Sequence, residues 1–284
     1  MATVSAFIDA SVYTRSVCDH AAWAAQRLKG SLDLIHVLTR NSDSGLHSDF
    51  SGSMEAEGRE HLLQELAELD EERAKLAMKR GRLILQDAKG LVSEAGGPAA
   101  NTRLRHGDLV EAIADFEADA ELLVIGKRGE AADFATLHLG SNLERVVRAS
   151  HKPVLVAARA FKPISKALIA FDGGTSALKA VDMVSRSPLF EGVSIRLLMV
   201  APESSRAQKK LESAADSLRG GGLTVETVLF QGHADQVITR QVEAEDIELL
   251  VMGAYGHSRI RSLIIGSTTS EMIRGCQIPL LLVR

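Results

Sequence analysis

The string Glu121-Leu-Leu-Val-Ile-Gly126 returns almost unchanged as Glu248-Leu-Leu-Val-Met-Gly253. Each copy runs on through a second glycine (Gly129 or Gly256), then Gly-Ser (Gly140-Ser141 or Gly266-Ser267), and closes on Pro plus an apolar run, Pro153-Val-Leu-Val-Ala or Pro279-Leu-Leu-Leu-Val. The upstream parts correspond as well: Ala6-Phe-Ile-Asp9 with Ile169-Ala-Phe-Asp172, and Leu34-Ile-His-Val37 with Leu197-Leu-Met-Val200. A repeat unit of about 120–160 residues is a whole domain, not a solenoid repeat. The 284 residues therefore divide into residues 1–160 and 161–284, joined through the short Phe161-Lys-Pro-Ile-Ser165.

Within each unit, short apolar runs alternate with helix-length segments. In the second half the runs are Ala167–Phe171, Ile195–Val200, Val225–Phe230, Leu249–Met252 and Leu280–Val283, with helical stretches at Ala177–Ser185, Ala207–Leu218 and Ala234–Glu245. Apolar runs without strict alternation read as strands buried on both faces. Strand–helix alternation then implies an α/β fold, a doubly wound parallel sheet with right-handed crossovers. The two halves are expected to carry separate parallel sheets that face each other about a pseudo-two-fold axis.

The first half carries an insert at about 40–95. Arg40 to Ser53 is rich in Ser, Asp and Gly and is expected to be a mobile loop. Leu62, Leu66, Leu69, Leu76, Leu83, Ile84, Ala88 and Leu91 then recur at helical spacing. A straight helix from Glu55 to Ala95 would run ~60 Å, about twice a small domain, so it projects or breaks. A break or bend is expected near Gly81, on helix propensity.

The formal charge of −4 and the lack of a basic block argue against nucleic acid as a ligand. No apolar run approaches the ~20 residues of a membrane span. The segment from Met1 to Asp9 does not read as a signal peptide. Cys18 and Cys276 match no metal spacing and read as inert buried thiols, which with the rest points to the cytoplasm.

The residues that carry chemistry are Gly253-Ala-Tyr-Gly256, nine further residues, then Gly266-Ser267-Thr268-Thr269. They open where a buried parallel strand ends, and open α/β sheets bind ligands at that carboxyl edge, beside the topological switch point. Gly253 and Gly256 lack Cβ atoms, so backbone there can approach a ribose or phosphate. Gly266-Ser267-Thr268-Thr269 precedes the helix of Glu271-Met-Ile-Arg, and its N–H groups and hydroxyls suit a phosphate. Asp172, with Phe171 beside it, can accept hydrogen bonds from ribose hydroxyls. Val200 and Met252 can flank a purine. His257 and Arg259 are candidates to touch a γ-phosphate or are exposed polar residues. Against this stands the plainer reading of glycine turns and a helix cap.

Gly-x2-Gly-x9-Gly-Ser/Thr, on an α/β unit ending in Pro-aliphatic, resembles the universal stress protein family. The match is gapless from Ala167 to Val283 and covers nearly the whole chain. The resemblance implies a five-stranded sheet per domain in order 3-2-1-4-5, with ATP, together with Mg2+, at its carboxyl edge. It implies Asp172, Val200 and Met252 around adenosine, and Gly253, Gly256, Gly266, Ser267, Thr268 and Thr269 around ribose and phosphates. It implies that Val154–Ala157 and Leu280–Val283 meet at the pseudo-two-fold axis, and it leaves a homodimer open. The first copy departs from the pattern. Ten residues, not nine, separate Gly129 from Gly140, and Asn142 and Leu143 stand where the second has Thr268 and Thr269. Asp9 and Val37 remain, and Lys127 and Arg128 either attract phosphate or form a solvated turn.

The expected function is ATP binding in a regulatory or stress-response role, at most with slow ATPase activity. The rivals are an enzyme of adenylate chemistry (slow ATPase or adenylyl transfer) and a scaffold that uses the helical insert as a partner surface. Asp172-Gly-Gly-Thr-Ser176 is a partial match to an ATP-pyrophosphatase loop. Asp43, His47 and Asp49 are a weak metal set in a solvated loop.

Overall fold

A computed structural model describes residues 2–39, 56–127, 141–254 and 267–284. The expected loop Arg40–Ser53 lies outside them. The first half contributes β1 (Thr3–Phe7), α1 (Thr14–Arg27), β2 (Ser31–Leu38), α2 (Ala56–Glu94), β3 (Ala100–His106), α3 (Leu109–Glu117), β4 (Leu122–Gly126), α4 (Ser141–Ala149) and β5 (Val154–Ala157). The second contributes β6 (Lys166–Ala170), α5 (Thr175–Arg186), β7 (Ser194–Val200), α6 (Ser205–Gly220), β8 (Thr224–Phe230), α7 (Ala234–Ala244), β9 (Leu249–Gly253), α8 (Ser267–Gly275) and β10 (Leu280–Val283).

The apolar runs become strands because both faces are covered. Leu122, Leu123 and Val124 of β4, and Leu249, Leu250 and Val251 of β9, are all buried. Each half is parallel throughout, in the order 3-2-1-4-5. The halves do not face each other. They join edge to edge, and β5 pairs antiparallel with β10, Leu155 opposite Leu281, in one ten-stranded sheet ordered β3-β2-β1-β4-β5-β10-β9-β6-β7-β8. The pseudo-two-fold axis passes through that pair. Open backbone at the end of each short final strand finds its partners in the other half, so neither leaves an edge.

The linker is held by side chains from both halves. The Glu248 carboxylate accepts from the Ser165 N–H and hydroxyl and from the Lys166 N–H. Phe161 packs edge-on against the ring of buried His20 in α1, with centroids 5.0 Å apart.

Helix α2 corrects the expectation at Gly81. The helix runs unbroken for 39 residues. A Cβ at position 81 would lie 2.7 Å from Leu104 Cδ1 of β3 and 3.0 Å from His36 Cδ2 of β2. Glycine stands here because α2 crosses the sheet at contact distance, and packing overrides the propensity cost of about 1 kcal/mol. From Gly81 onward, Leu85, Ala88 and Val92 are buried. Before it, the helix leaves the sheet, and Leu63, Leu69 and Leu76 are exposed.

Candidate functional site

In the second half the switch point lies between β6 and β9, because α5 carries the chain from β6 to β7 on one side while β9 flanks β6 on the other. Ala170 of β6 pairs with Met252 of β9, so Asp172 and Gly253 come out of the sheet side by side. Asp172 is exposed, and its Oδ1 accepts from the Gly174 N–H at 2.8 Å. That bond shapes a tight turn in which Gly173 takes φ +73°, a conformation open to glycine. Gly174, which has no side chain of its own to cap with, is then the N-cap of α5.

Gly253 has a packing reason of its own. A Cβ there would lie 2.8 Å from Ser176 Cβ and 2.9 Å from the Ala177 nitrogen, so the end of β9 presses directly on the first turn of α5. The glycine brings the Asp172 turn and the β9 end together whether or not a ligand needs the same space.

Ser267-Thr268-Thr269 opens a helix rather than preceding one. Helix α8 begins at Ser267, so Ser267, Thr268 and Thr269 supply the first-turn N–H groups that have no partner within the helix. Thr269 is buried, and its hydroxyl donates to the Gly253 carbonyl at 3.2 Å. That hydroxyl anchors α8 to β9, while Thr268 stays half-exposed.

The expected residues divide between two faces of the sheet. Met252 is buried and Val200 half-buried in the apolar cluster beneath α7 and α8. Phe171 is buried in the opposite cluster, under α5 and α6. A groove of about 650 Å³ opens between those two helices, and among the described residues Phe171 is the one expected residue that lines it. Lys210 of α6 also lines this groove, and its Nζ would be 3.3 Å from a Cβ at Gly173. Sequence reading passed over Lys210, since an exposed lysine on a helix gives no signal; its proximity to Asp172 arises only when α6 folds beside α5. Gly256, His257, Arg259 and Gly266 lie outside the described residues, as does the Asp43, His47, Asp49 set. Among the described residues no cluster of three acidic, histidine or cysteine side chains is placed to hold a metal.

The first half repeats the frame with different contents. Asp9 Oδ1 accepts from the Ser11 N–H at 3.1 Å, as Asp172 does in its own turn. Leu143, the counterpart of Thr269, is buried. Lys127 is half-buried, and its amine donates to the Cys276 carbonyl at 2.6 Å, across to the other half. Burial pushes the thiols of Cys18 (to about 12) and Cys276 upward, so both are unreactive near neutrality.

The family model described as "Universal stress protein family" matches residues 2–158 and again residues 163–284. The chain belongs to the universal stress protein family. It is 35% identical over 279 residues to universal stress protein Slr1230 of Synechocystis, covering 97% of each chain. Among solved structures, a universal stress protein from Archaeoglobus fulgidus shares 18% identity with a TM-score of 0.73, over 99% of this chain and 98% of that one. A putative universal stress protein from Pseudomonas aeruginosa gives 16% identity and a TM-score of 0.61, over 99% and 92%. These structural likenesses speak to the fold. Among the described residues, no helix of this universal stress protein is long and apolar enough to cross a membrane.

Proposed function

We propose that this chain is an ATP-binding regulatory or stress-response protein that holds the nucleotide at the carboxyl edge of its second half. The observation that carries the reading is the convergence at one switch point of the Asp172 turn, the β9 end at Gly253 and the first turn of α8. Open α/β sheets bind nucleotides at such points. The parts suit ATP by chemistry. The exposed Asp172 carboxylate suits ribose hydroxyls. Val200 and Met252 offer an apolar flank for the base. The first-turn N–H groups of α8, with Thr268 and Ser267, favour phosphate. Gly256 and Gly266, with His257 and Arg259, complete the motif in sequence. Mg2+ would then arrive with the phosphates rather than occupy a protein site of its own.

Binding is favoured over catalysis because neither a P-loop lysine nor an evident water-activating residue is found in the sequence. The functional units on this reading are residues 1–160 and 161–284. Two buried, unpaired cysteines fit a reducing cytoplasm. The decisive experiment is mass spectrometry of ligand released from freshly purified, denatured protein, followed by titration calorimetry with ATP. Retained adenine nucleotide and roughly one binding event per chain are expected. Protein that neither carries nor binds adenine nucleotide overturns the reading in favour of a scaffold. Multiple-turnover product formation with a second substrate favours an adenylate enzyme.

A further inference from the structure

The projecting half of α2 carries leucine at every seventh position, Leu62, Leu69, Leu76 and Leu83, with Leu66 in the intervening row. A strict seven-residue repeat of this kind is the seam of a coiled coil, with the leucines at d and Leu66, Arg73 and Arg80 at a. The seam is open in the monomer. Leu69, Leu76 and Leu83 are 50%, 66% and 52% exposed. It is also distinct from the face that α2 lays on the sheet. Gly81, Leu85, Ala88 and Val92 form that face, about a third of a turn away at ~100° per residue.

Charge identifies the occupant. Residues 61–72 hold five acidic residues and no Lys or Arg, whereas residues 73–82 hold five basic residues and no acid. A parallel copy would set acid against acid and base against base along the whole seam. An antiparallel copy sets each acidic half against the other's basic half. We propose that residues 61–83 of α2 pair with the same segment of a second copy of this chain as an antiparallel two-stranded coiled coil. In that register Leu66 packs beside the partner's Leu76, Arg73 beside the partner's Leu69, and Arg80 beside the partner's Leu62, and Glu65 faces the partner's Lys79. Like charges meet only near the dyad, at Asp70 and Glu72, where each Arg73 is at hand. The arginines at a cost stability but admit few other registers, since their stems pack while their guanidinium groups reach the acidic flank. A seam of about three heptads is marginal for free peptides. Here each helix is already nucleated by docking on its own sheet, so the cost of starting it falls on folding rather than on association. Because α2 is rooted at its C-terminal end, the antiparallel arrangement also places the two sheets at opposite ends of the coil.

The test uses the full chain. Sedimentation velocity across a range of concentrations should show a dimerisation step. L69E/L76E, at exposed positions and with unchanged circular dichroism, should weaken that step at least a hundredfold. Wild-type chain that stays monomeric, or association indifferent to L69E/L76E, overturns the proposal. Direction is read by disulfide trapping. A mixture of L66C chains with L76C chains should cross-link on oxidation far more than either alone. Efficient cross-linking of L62C to itself, which the antiparallel register holds ~27 Å apart at 1.5 Å per residue, would mean parallel helices and overturn the register.

Discussion

The side-chain amine of Lys127 lies 2.6 Å from the main-chain oxygen of Cys276, tying the loop after β4 in one half to the end of α8 in the other. A reciprocal contact crosses the same axis, where Arg284 Nη1 donates to the Arg148 carbonyl in the last turn of α4 at 2.9 Å. Each half thus satisfies carbonyls that a helix C-terminus leaves open, with a cation where the helix dipole favours one. Lys127 is the residue that sequence offered to a phosphate, and its geometry gives it a structural partner instead.

Lys127→Met should therefore weaken the union of the halves and leave nucleotide binding alone. A charged hydrogen bond contributes about 1.5–3 kcal/mol, and half-burial argues for the lower end. Urea denaturation should show a lower midpoint with an unchanged slope. A midpoint equal to that of the parent means the tie carries no stability.

Thr268 and Thr269 should separate into different roles. Thr269→Val removes the hydroxyl that anchors α8 to Gly253 and should cost about 1 kcal/mol of stability. Thr268→Val leaves stability unchanged and should lower ATP affinity roughly tenfold, the loss of one hydrogen bond to a charged group. Calorimetry and denaturation on both variants decide it; a larger affinity loss at Thr269 would reverse the assignment.

His20 should make the fold sensitive to mild acid. The ring is fully buried; its Nδ1 contacts the Ser16 carbonyl, and its Nε2 has no hydrogen-bond partner among the described residues. Burial pushes its pKa down to about 4 from 6.5. Above pH 6.5 neither the folded nor the unfolded ring holds a proton, and stability is full. As pH falls from 6.5 toward 4 the unfolded chain takes up a proton that the folded chain refuses, so stability declines by about 3 kcal/mol across that window. Burial alone would raise Glu248, but hydrogen bonds from Ser165 and Lys166 outweigh it, so its loss falls below the usual glutamate range. His20→Met should flatten the slope between pH 6.5 and 4. An unchanged slope would show that other groups set it.

Strand positions and the parallel sense of each sheet were legible because they rest on repeated apolar runs alternating with helical segments, which local chemistry writes directly into sequence; the 3-2-1-4-5 order and the meeting of β5 with β10 came from the family resemblance. What escaped was set by contacts between distant segments. Gly81 reads as a helix breaker, yet it marks where α2 touches Leu104 and His36. Thr269 reads beside Thr268 as a residue around the phosphates, and the structure adds a packing role that sequence did not show, its buried hydroxyl donating to the Gly253 carbonyl. Phe171 reads as adjacent to Asp172, yet strand alternation turns it to the opposite face.

The two halves should differ in nucleotide affinity, by less than a count of hydroxyls suggests. Positions 143 and 269 both point into the core, so the exchange of Thr269 for Leu143 removes no phosphate partner. Lys127 donates to the Cys276 carbonyl, which draws its ammonium toward the other half. What remains is Asn142 in place of Thr268, and one extra residue between Gly129 and Gly140. One hydrogen bond to phosphate, about 1.5–3 kcal/mol, corresponds to roughly ten- to hundredfold in affinity. The added residue acts further, by shifting the second glycine relative to the helix terminus that receives the phosphate. ATP should fill the second half first, at one equivalent per chain. Gly256→Val should abolish that event, because a β-branched side chain intrudes where backbone must approach phosphate. Gly129→Val should leave it within about twofold, well short of one tenfold step of ~1.4 kcal/mol. Asn142→Thr alone should not create a second event, since the loop length is unchanged. Two equivalents of comparable affinity in the parent, or a greater loss from Gly129→Val than from Gly256→Val, would place the working site in the first half.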